Sequence, residues 1–332
     1  MYVRSGRCTS RQTVCALSLL VVLSLGLGCR STEAPDRPLA PAWDVDRAEL
    51  FEWRADDPAF DQEFALEASG LAVLKGDLLI PSEKYSRILV VDPESDFAAR
   101  VIPLGVPRHA ELEGVATAGS SLFLCDEAHA AVYEVSVETV AGAVEAANPQ
   151  TVGARQLALE GIEVAGGKIG FEGIEANPRN DGIYLLLERR GTAETGCDSQ
   201  IFSLRRGPDR LISDAEPLVV RLEDCNWRLT GLAWWGERLI ALKTQFPGER
   251  YEIVAVDLST GETTVVLEMT PLLRSLATRG WSNNVEGIAV ADDGALWLVA
   301  DNAVTGVIDD PRPPQIESRT LLLRIPPVDG HD

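Results

Sequence analysis

Pairs of a polar residue and glycine recur along the sequence, each at the start of an apolar run. Glu113-Gly114, Glu172-Gly173 and Glu286-Gly287 carry an acid, and Ser69-Gly70 and Thr230-Gly231 stand at the same place in two further segments. Carboxylates that converge in a confined space repel one another, so the pKa of at least one rises unless a cation is bound. Ligands that offer only oxygen favour Ca²⁺. This pattern predicts a calcium site.

A second set of polar residues follows the next apolar run of each segment. These residues are Glu83, Glu127, Glu188, Thr244 and Asp301. Each lies five positions beyond the first residue of its run, so the register is the same in all segments. We predict Glu113, Glu172, Glu286, Asn284 and Asp301 as metal ligands, because carboxylate and amide oxygens suit Ca²⁺. Glu83, Glu127 and Glu188 form a predicted second ring.

A purely structural role explains the same residues. A Glu before Gly at the start of a strand can hydrogen-bond to the backbone of a neighbouring segment, and the Gly can allow two backbones to approach closely. Lys84, Arg189 and Lys243 neighbour the second set, so salt bridges can also neutralise part of it. Both interpretations remain open on the sequence.

The elements that must position these residues are short strands. After residue 43 the chain consists of apolar runs of strand length separated by Gly, Asp, Asn and Pro, with helical periodicity only near Val137–Ala147 and Pro271–Thr278. Each polar residue–Gly opening is followed by a second and a third apolar run, and several segments add a fourth. Four strands per repeat indicate the blade of a β-propeller, whose first strands line a central channel. The predicted fold is therefore an all-β propeller.

The number of repeats favours five blades. The repeated glycines are spaced by 44, 59, 58 and 56 residues, and the last segment lacks a fourth strand after Ile325. Residues Glu49–Arg54 can supply it and remove an exposed sheet edge. Six blades are the alternative if Gln156–Val164 belongs to a blade of its own.

The N-terminus predicts export. Arg4, Arg7 and Arg11 precede an apolar run that ends at Gly28-Cys29, which is typical of a secretory signal. Leu25–Cys29 resembles the lipobox of bacterial lipoproteins, in which the cysteine is lipidated, although an ordinary signal peptide is the alternative. The predicted organisation is a signal peptide over residues 1–28, a tether over 29–43 and a propeller over 44–328, in the bacterial cell envelope, on the periplasmic face of the outer membrane or the cell surface.

Charge and cysteines limit the partners. The net charge of −21 becomes −24 when residues 1–28, with three arginines and no acid, are removed. Such a charge argues against nucleic acid and anionic lipid surfaces as partners. It favours a soluble monomer or cation binding. The N-terminal lipid is then the predicted contact with the membrane. In an oxidising compartment, Cys197 and Cys225 can form a disulfide while Cys125 stays a buried thiol.

The segments ELEGVA, FEGIEA and NVEGIAV, with the run endings YLLLER and WLVADN, resemble the esterase-like phytase domain and the related SdiA-regulated, lipoprotein-like β-propellers. The resemblance covers roughly residues 60–326. Similar openings occur in gluconolactonase and regucalcin propellers, where the matching Glu binds a divalent metal in the channel. The resemblance implies such roles for Glu113, Glu172 and Glu286.

Two functions compete. The first is a Ca²⁺-dependent hydrolase of a phosphoester, ester or lactone, in which a channel carboxylate acts as base. The second is a non-catalytic envelope binding or scaffold propeller with structural Ca²⁺. The sequence contains no G-x-S-x-G motif and no dense Lys/Arg cluster, so it identifies no catalytic residue and no specific small-molecule or envelope ligand.

Overall fold

The computed structural model describes residues 42–55, 66–162, 170–180, 182–188, 197–245, 249–302 and 319–328. The chain divides into two compact units, residues 1–37 and 38–332, and all described residues belong to the second. The predicted signal peptide, Cys29 and most of the tether lie outside the described residues. Ala42 and Trp43 are buried, and Trp43 Nε1 donates to Gly294 O at 2.9 Å. The packed domain therefore includes two residues that the sequence assigned to the tether.

The described strands confirm the predicted all-β fold. Two short strands come first, β1 (Glu49–Phe51) and β2 (Arg54–Ala55). The first unit contains β3 (Ala72–Leu74), β4 (Asp77–Pro81), β5 (Arg87–Asp92) and β6 (Ala98–Pro103). The second contains β7 (Leu112–Ala118), β8 (Ser121–Asp126), β9 (Ala131–Ser136) and β10 (Ala154–Glu160). The third contains β11 (Phe171–Ala176), β12 (Gly182–Leu187), β13 (Ser199–Arg206), β14 (Arg210–Ser213) and β15 (Leu218–Val220).

Two more units follow. The fourth contains β16 (Trp227–Trp235), β17 (Arg238–Gln245), β18 (Arg250–Val256) and β19 (Thr263–Glu268). The fifth contains β20 (Asn284–Val290), β21 (Leu296–Asp301) and β22 (Leu322–Ile325). Within each unit the strands pair antiparallel in sequence order, with β14 and β15 sharing the outer edge of β13. Strand β10 of the second unit also pairs in parallel with β14 of the third, so these two units share one nine-stranded sheet, and the described strands form four sheets from five meanders.

The two ends of the chain meet in the fifth unit. Strand β1 pairs antiparallel with β22, with Leu50 opposite Leu323, and supplies the missing fourth strand. Strand β2 instead pairs with β6 of the first unit. The N-terminal segment thus joins the first and last units, as the predicted closure requires. Residues 156–162 are the described part of Gln156–Val164, the segment that the six-blade alternative gave to a separate blade. Residues 156–160 lie in β10, the outer strand of the second unit.

Five hydrophobic clusters lie between neighbouring units and explain why these strands are apolar on both faces. In β8, Leu122 and Leu124 pack towards the first unit, whereas Phe123 and Cys125 pack towards the third. Equivalent clusters join the third unit to the fourth, the fourth to the fifth, and the fifth back to the first. Side chains alternate between the two faces of a strand, so every second strand residue serves a different core. The described units are therefore packed in a closed ring.

Two helices occur where weak helical periodicity predicted them. Helix α1 (Val137–Glu145) follows β9, and Ser136 Oγ caps it by accepting from Thr139 N at 3.4 Å. Helix α2 (Thr270–Ala277) precedes β20 and begins with Pro271 in its first turn, where the missing N–H costs nothing. Among the described helices, none has the length and apolar character needed to cross a lipid bilayer.

Candidate functional site

A β-bulge aims four of the five polar ring residues into the channel. In β7, β11, β16 and β20 the pairing with the next strand slips by one residue, so that one residue has no partner. These unpaired residues are Glu113, Glu172, Thr230 and Glu286. A bulge bends the strand and redirects its side chain, which is why bulges are frequent near functional sites. The recurring opening in the sequence is thus the signature of a recurring bulge.

The glycine after each bulge lets neighbouring units touch. A Cβ on Gly114 would lie 2.8 Å from Ile174 N and 2.9 Å from the Cα of Gly173. A Cβ on Gly70 would lie 2.9 Å from the Cα of Gly114, and one on Gly287 would lie 2.8 Å from the carbonyl carbon of Gly70. No side chain fits at these contacts. The glycines therefore have the close-approach role that the sequence left open.

The ring residues form a buried inner layer. Ser69, Glu113, Glu172, Thr230 and Glu286 line one cavity of about 10 Å³ on the axis of the five units. That volume holds about one water molecule or one ion. No organic substrate can therefore enter the inner layer, and any larger ligand must bind at the mouth of the channel.

The hydroxyl groups of the inner layer differ in how they are satisfied. Ser69 Oγ donates to Leu112 O of the neighbouring unit, which is the structural role described above. Thr230 is 1% exposed, and its Oγ1 has no hydrogen-bond partner among the described residues. A buried hydroxyl without a partner is costly in a native protein and indicates a bound water or ion. Thr230 lines the same cavity as the three carboxylates.

The inner carboxylates are destabilised as anions. Burial raises the pKa of Glu113 well above its ordinary value, and the charges of Glu172 and Glu83 raise it further. Burial likewise raises the pKa of Glu172, helped by Glu188 and Glu127. For these two acids the protonated form is favoured unless a cation enters, as predicted for converging carboxylates.

The second ring lies at the mouth, beside the beginnings of the inner strands. Residue pairing places Asn284 opposite Asp301 and Arg228 opposite Thr244. Glu188, Thr244 and Asp301 are buried, whereas Glu83 and Glu127 are partly exposed. Burial raises the pKa of Glu127 to about 7, together with the charges of Glu111 and Glu188. Glu127 is therefore a partly exposed carboxyl group that titrates near neutral pH.

Arg228 is the residue that the sequence interpretation missed. Its guanidinium donates to Glu286 Oε1 at 3.2 Å and to Asn284 Oδ1 at 3.3 Å, and it lies 3.5 Å from Glu188 Oε1. Burial opposes its charge, but Glu286 and Glu188 outweigh burial and raise its pKa. Burial raises the pKa of Glu286 to about 7, and the positive charge of Arg228 keeps it from rising further. One guanidinium thus neutralises part of the ring.

A positional signal could have revealed Arg228. It stands two residues before Thr230, and the equivalent residues in the other units can be read directly from the sequence. They are Glu67, Glu111, Gly170 and Asn284. Residues two apart on a strand face the same side, so this third position also faces the channel mouth. A comparison limited to the residues next to glycine does not reveal Arg228.

The predicted amide ligands are committed to the protein itself. Asn284 Nδ2 donates to Glu286 Oε1 at 3.0 Å and to Asp301 Oδ2 at 3.2 Å. Asn302 Oδ1 accepts from Leu66 N at 2.8 Å and Glu67 N at 3.2 Å. Hydrogen bonds and Arg228 hold Asn284, Glu286 and Asp301 together, and their role as metal ligands stays a prediction.

The lysines next to the second set behave differently from each other. Lys84 Nζ lies 2.7 Å from Glu67 Oε2 and 2.5 Å from Glu83 Oε1, so it neutralises part of the mouth. Lys243 is buried away from the ring and pairs with Glu223 at 2.6 Å and Glu252 at 3.2 Å. Lys84 therefore forms the predicted salt bridge to the second set of polar residues, and Lys243 does not. Arg189 lies outside the described residues.

A buried aspartate orients a histidine close to Glu127 in the chain. Asp126 is 0% exposed, and its Oδ2 lies 2.8 Å from His129 Nδ1 and accepts from Tyr133 OH at 3.2 Å. Its Oδ1 accepts from Glu111 N at 3.1 Å. The imidazole is 43% exposed, so a fixed ring presents its other nitrogen outward.

A divalent cation fits the channel in its chemistry. The inner layer supplies only oxygen donors, its carboxylates outnumber the cations, and the Thr230 hydroxyl lacks a partner. Within the described ranges, no three side chains of His, Cys, Asp or Glu meet in a metal-binding arrangement. Glu286 instead faces Arg228 and Asn284. The donor set therefore suits a hard cation, and Arg228 competes for the same carboxylate.

The cysteines lie as the sequence suggested. Cys197 and Cys225 are paired as a disulfide with Cα atoms 4.7 Å apart, and Cys125 is a buried free thiol. Burial raises the pKa of Cys125, and Glu113 and Glu172 raise it further, so this thiol stays protonated.

Comparison with known proteins supports the fold and the family. Residues 45–303 match the family model Phytase-like: Esterase-like activity of phytase. No curated protein matches the chain in sequence. The glutaminyl cyclase of Myxococcus xanthus has a TM-score of 0.53 at 15% identity, over 88% of this chain and 100% of that chain. This similarity bears on the fold alone and is consistent with a propeller.

A lower similarity links the chain to a gluconolactonase, XC5397 of Xanthomonas campestris, with a TM-score of 0.40 at 16% identity over 88% of this chain and 99% of that one. A TM-score of 0.40 is too low to establish a shared fold or function. The family match covers more than half of the chain and agrees with the resemblance seen in the repeated motifs. The chain therefore belongs to the phytase-like family, whose description is esterase-like activity of phytase.

Proposed function

We propose that the protein is an exported hydrolase that cleaves an ester, a phosphoester or a lactone at the mouth of its channel, with Ca²⁺ as cofactor. The family match supports hydrolytic chemistry. The observation that carries the calcium part is the unpartnered Thr230 hydroxyl, which shares a cavity of about one ion's size with Glu113, Glu172 and Glu286. Such a site supplies oxygen ligands and excess negative charge.

In this proposal some residues bind the ion, and others take part in the reaction. Glu113, Glu172, Glu286 and Thr230 would hold the ion, with Asn284 and Asp301 fixing Glu286 from the mouth. When bound, the ion would supply positive charge to a substrate oxygen held at the mouth and would lower the pKa of a water molecule. Glu127 is the general base in this proposal, because it is partly exposed at the mouth and its pKa of about 7 suits proton transfer at neutral pH. Glu83 and Glu188 shape the negative mouth around it.

A second function has its own support. The inner cavity of about 10 Å³ has room for one ion and none for a substrate beside it, which suits a purely structural ion site. In this alternative the propeller binds an envelope component without catalysis, and its Ca²⁺ stabilises the ring. We also propose lipidation at Cys29 and a location in the cell envelope, supported by the disulfide, which suits an oxidising compartment.

One experiment separates the two functions. The mature protein is incubated with model phosphoester, carboxylic ester and lactone substrates, with added Ca²⁺ or with EDTA. We expect multiple turnovers of one class with Ca²⁺, loss of turnover in EDTA, and loss in Glu172→Gln and Glu127→Gln. Full turnover in EDTA would disprove the calcium mechanism. Calcium binding without turnover of any class would favour the scaffold alternative.

The stability of the same variants makes the result specific. Glu127→Gln changes a partly exposed residue of the mouth and should leave the unfolding temperature close to that of the wild type. Glu237→Gln, an exposed acid elsewhere on the protein, is the matched control and should keep full activity. Loss of activity in both Glu127→Gln and Glu237→Gln would show that activity depends on surface charge in general and not on the residues of the mouth.

A further inference from the structure

A second cavity lies at the opposite ends of the strands that build the channel mouth. It has a volume of about 440 Å³ and lies between the second and third units. The turn after β7, residues 117–120, and the turn after β11, residues 177–180, form its walls, with Ile183 and Arg206. Glu113 and Glu172 lie near the beginnings of the same two strands. This cavity is therefore far larger than the inner cavity and separate from it.

The polar groups of this cavity are hydrogen-bond donors. Arg179 and Arg206 contribute guanidinium groups, and the described lining contains no Asp or Glu. Asn177 Oδ1 accepts from Arg179 N at 2.9 Å, and Asn180 Oδ1 accepts from Gly182 N at 2.8 Å. Because the oxygens of both amides are used by the backbone, each Asn presents its Nδ2 as a donor. A ligand matched to this lining is rich in acceptor oxygens.

The arginines keep an excess of positive charge. Arg206 Nη2 contacts Glu134 Oε1 and donates to Ser121 Oγ at 2.9 Å. Arg155 pairs with the other oxygen of Glu134, so two guanidinium groups share one carboxylate. Burial opposes the charge of Glu134, but its bonds to Ser121 and Arg155 and the charge of Arg206 lower its pKa, so it is ionised at neutral pH. Arg179 pairs with Glu237, so the one positive charge that remains uncompensated beside the cavity comes from Arg155 and Arg206, which share Glu134.

We propose that this cavity binds a small oxyanion, either a phosphate group or a carboxylate of a small molecule. Guanidinium groups with amide donors nearby recognise such oxyanions through charge-assisted hydrogen bonds. Ala118, Pro178 and Ile183 provide an apolar wall for a carbon skeleton. The net charge of −21 repels anions at long range, so binding must depend on these local groups. The site is independent of the proposed hydrolase activity.

The test uses the mature protein in EDTA, so that no cation in the channel contributes to binding. Inorganic phosphate and citrate are titrated by calorimetry, with glucose as the neutral probe. We expect saturable binding of at least one anion, weakened about ten-fold or more by Arg206→Gln and by Arg179→Gln. Arg210→Gln is the matched control, because Arg210 is exposed, pairs with Glu160 and lies outside the cavity.

The outcomes decide the proposal. Absence of saturable binding by both anions overturns it, as does equal weakening in Arg210→Gln, or glucose binding as tight as anion binding. Preference for phosphate or for citrate identifies the oxyanion. If Arg206→Gln fails to fold, Asn177→Asp tests the same site, because a new carboxylate in the lining should abolish anion binding. Channel residues are unchanged in every variant, so a negative result leaves the hydrolase proposal intact.

Discussion

The two ends of strands β7 and β11 carry opposite chemistry. In the inner layer of the channel, bulges bring Glu113 and Glu172 together, and the pKa of both is raised because they are buried beside other acids. At the far end, the turns bring Arg179 and Arg206 to one cavity whose described lining has no acid. The comparison shows that a strand only seven residues long separates two sites of opposite charge. The mouth suits a cation and the far cavity an anion.

The difference also lies in how the charges are compensated. At the far end, each arginine has a carboxylate within hydrogen-bonding distance, Glu237 for Arg179 and Glu134 for Arg206. At the mouth, the carboxylates outnumber Arg228 and Lys84. Buried like charges without compensation favour proton uptake or ion binding. The mouth should therefore respond to pH and Ca²⁺ far more than the far end.

Removing Arg228 should have the largest effect. Arg228→Gln leaves Glu286 and Glu188 without their guanidinium partner, so we expect a loss of about 3–5 kcal/mol of unfolding free energy at pH 7. Urea denaturation measures it. The loss should shrink at pH 5, where Glu286 takes up a proton. Arg238→Gln, at an exposed arginine, is the control, and equal losses in the two variants would show that the channel charges do not matter.

A methyl group in the glycine ring should be the next largest change. Gly114→Ala places a Cβ 2.8 Å from Ile174 N, and we expect a destabilisation of about 1–3 kcal/mol by overpacking. Gly142→Ala in α1 has nothing within 4 Å of the new Cβ and should stabilise the protein by up to about 1 kcal/mol. Urea denaturation of both variants compares them. A Gly114→Ala protein as stable as the wild type would contradict the close contact between units.

The pH dependence of stability follows from the raised pKa values. Glu286 has an ordinary pKa of 4.5 in the unfolded chain and about 7 in the folded protein, so the folded state binds more protons between these values. Its contribution to stability is complete below about 4.5 and is lost as the pH rises through about 7. Thermal unfolding in EDTA should therefore show stability that falls from pH 5 to pH 8. Glu286→Gln should flatten this slope, and a slope of opposite sign would refute the assignment.

The exposed pair at the far end should matter least. Arg179 and Glu237 are 57% and 78% exposed, so Glu237→Gln should change the unfolding free energy by less than about 0.5 kcal/mol. The same substitution frees Arg179 and should strengthen binding of inorganic phosphate. A large loss of stability in urea would mean that the far end depends on ion pairing as strongly as the mouth.

Much of this architecture could be predicted from the sequence. The repeated openings, the register of the second ring and the closing strand near Glu49 all reflect strand length and alternation, which local residues determine. The tether boundary was set too late, because the burial of Trp43 depends on its distant contact with Gly294. In the third unit the outer edge of β13 is shared by two short strands, β14 and β15, which local residues alone do not indicate.

The acidic residues of the candidate site could be predicted from the sequence, but Arg228 could not. Glu113, Glu172 and Glu286 repeat beside glycine, so they are visible in one sequence. Arg228 occupies a position that is Glu, Gly or Asn in the other units, and only the fold shows that this position faces the mouth. The far cavity joins the turns that follow the repeated openings of two units, but the residues of these turns differ, so the repeat does not mark the cavity. Sites built from dissimilar residues of several units require the three-dimensional packing.

Calcium titration of the mature protein by calorimetry tests the central claim most directly. Carboxyl groups with raised pKa values must lose protons to bind a metal, so Ca²⁺ binding at pH 7 should release protons and raise the unfolding temperature. Repeating the titration in buffers of different ionisation enthalpy measures that release. Glu172→Gln should abolish binding, whereas Glu237→Gln should leave it unchanged. No binding heat, no proton release and an unchanged unfolding temperature in the wild-type protein would contradict the channel as a cation site.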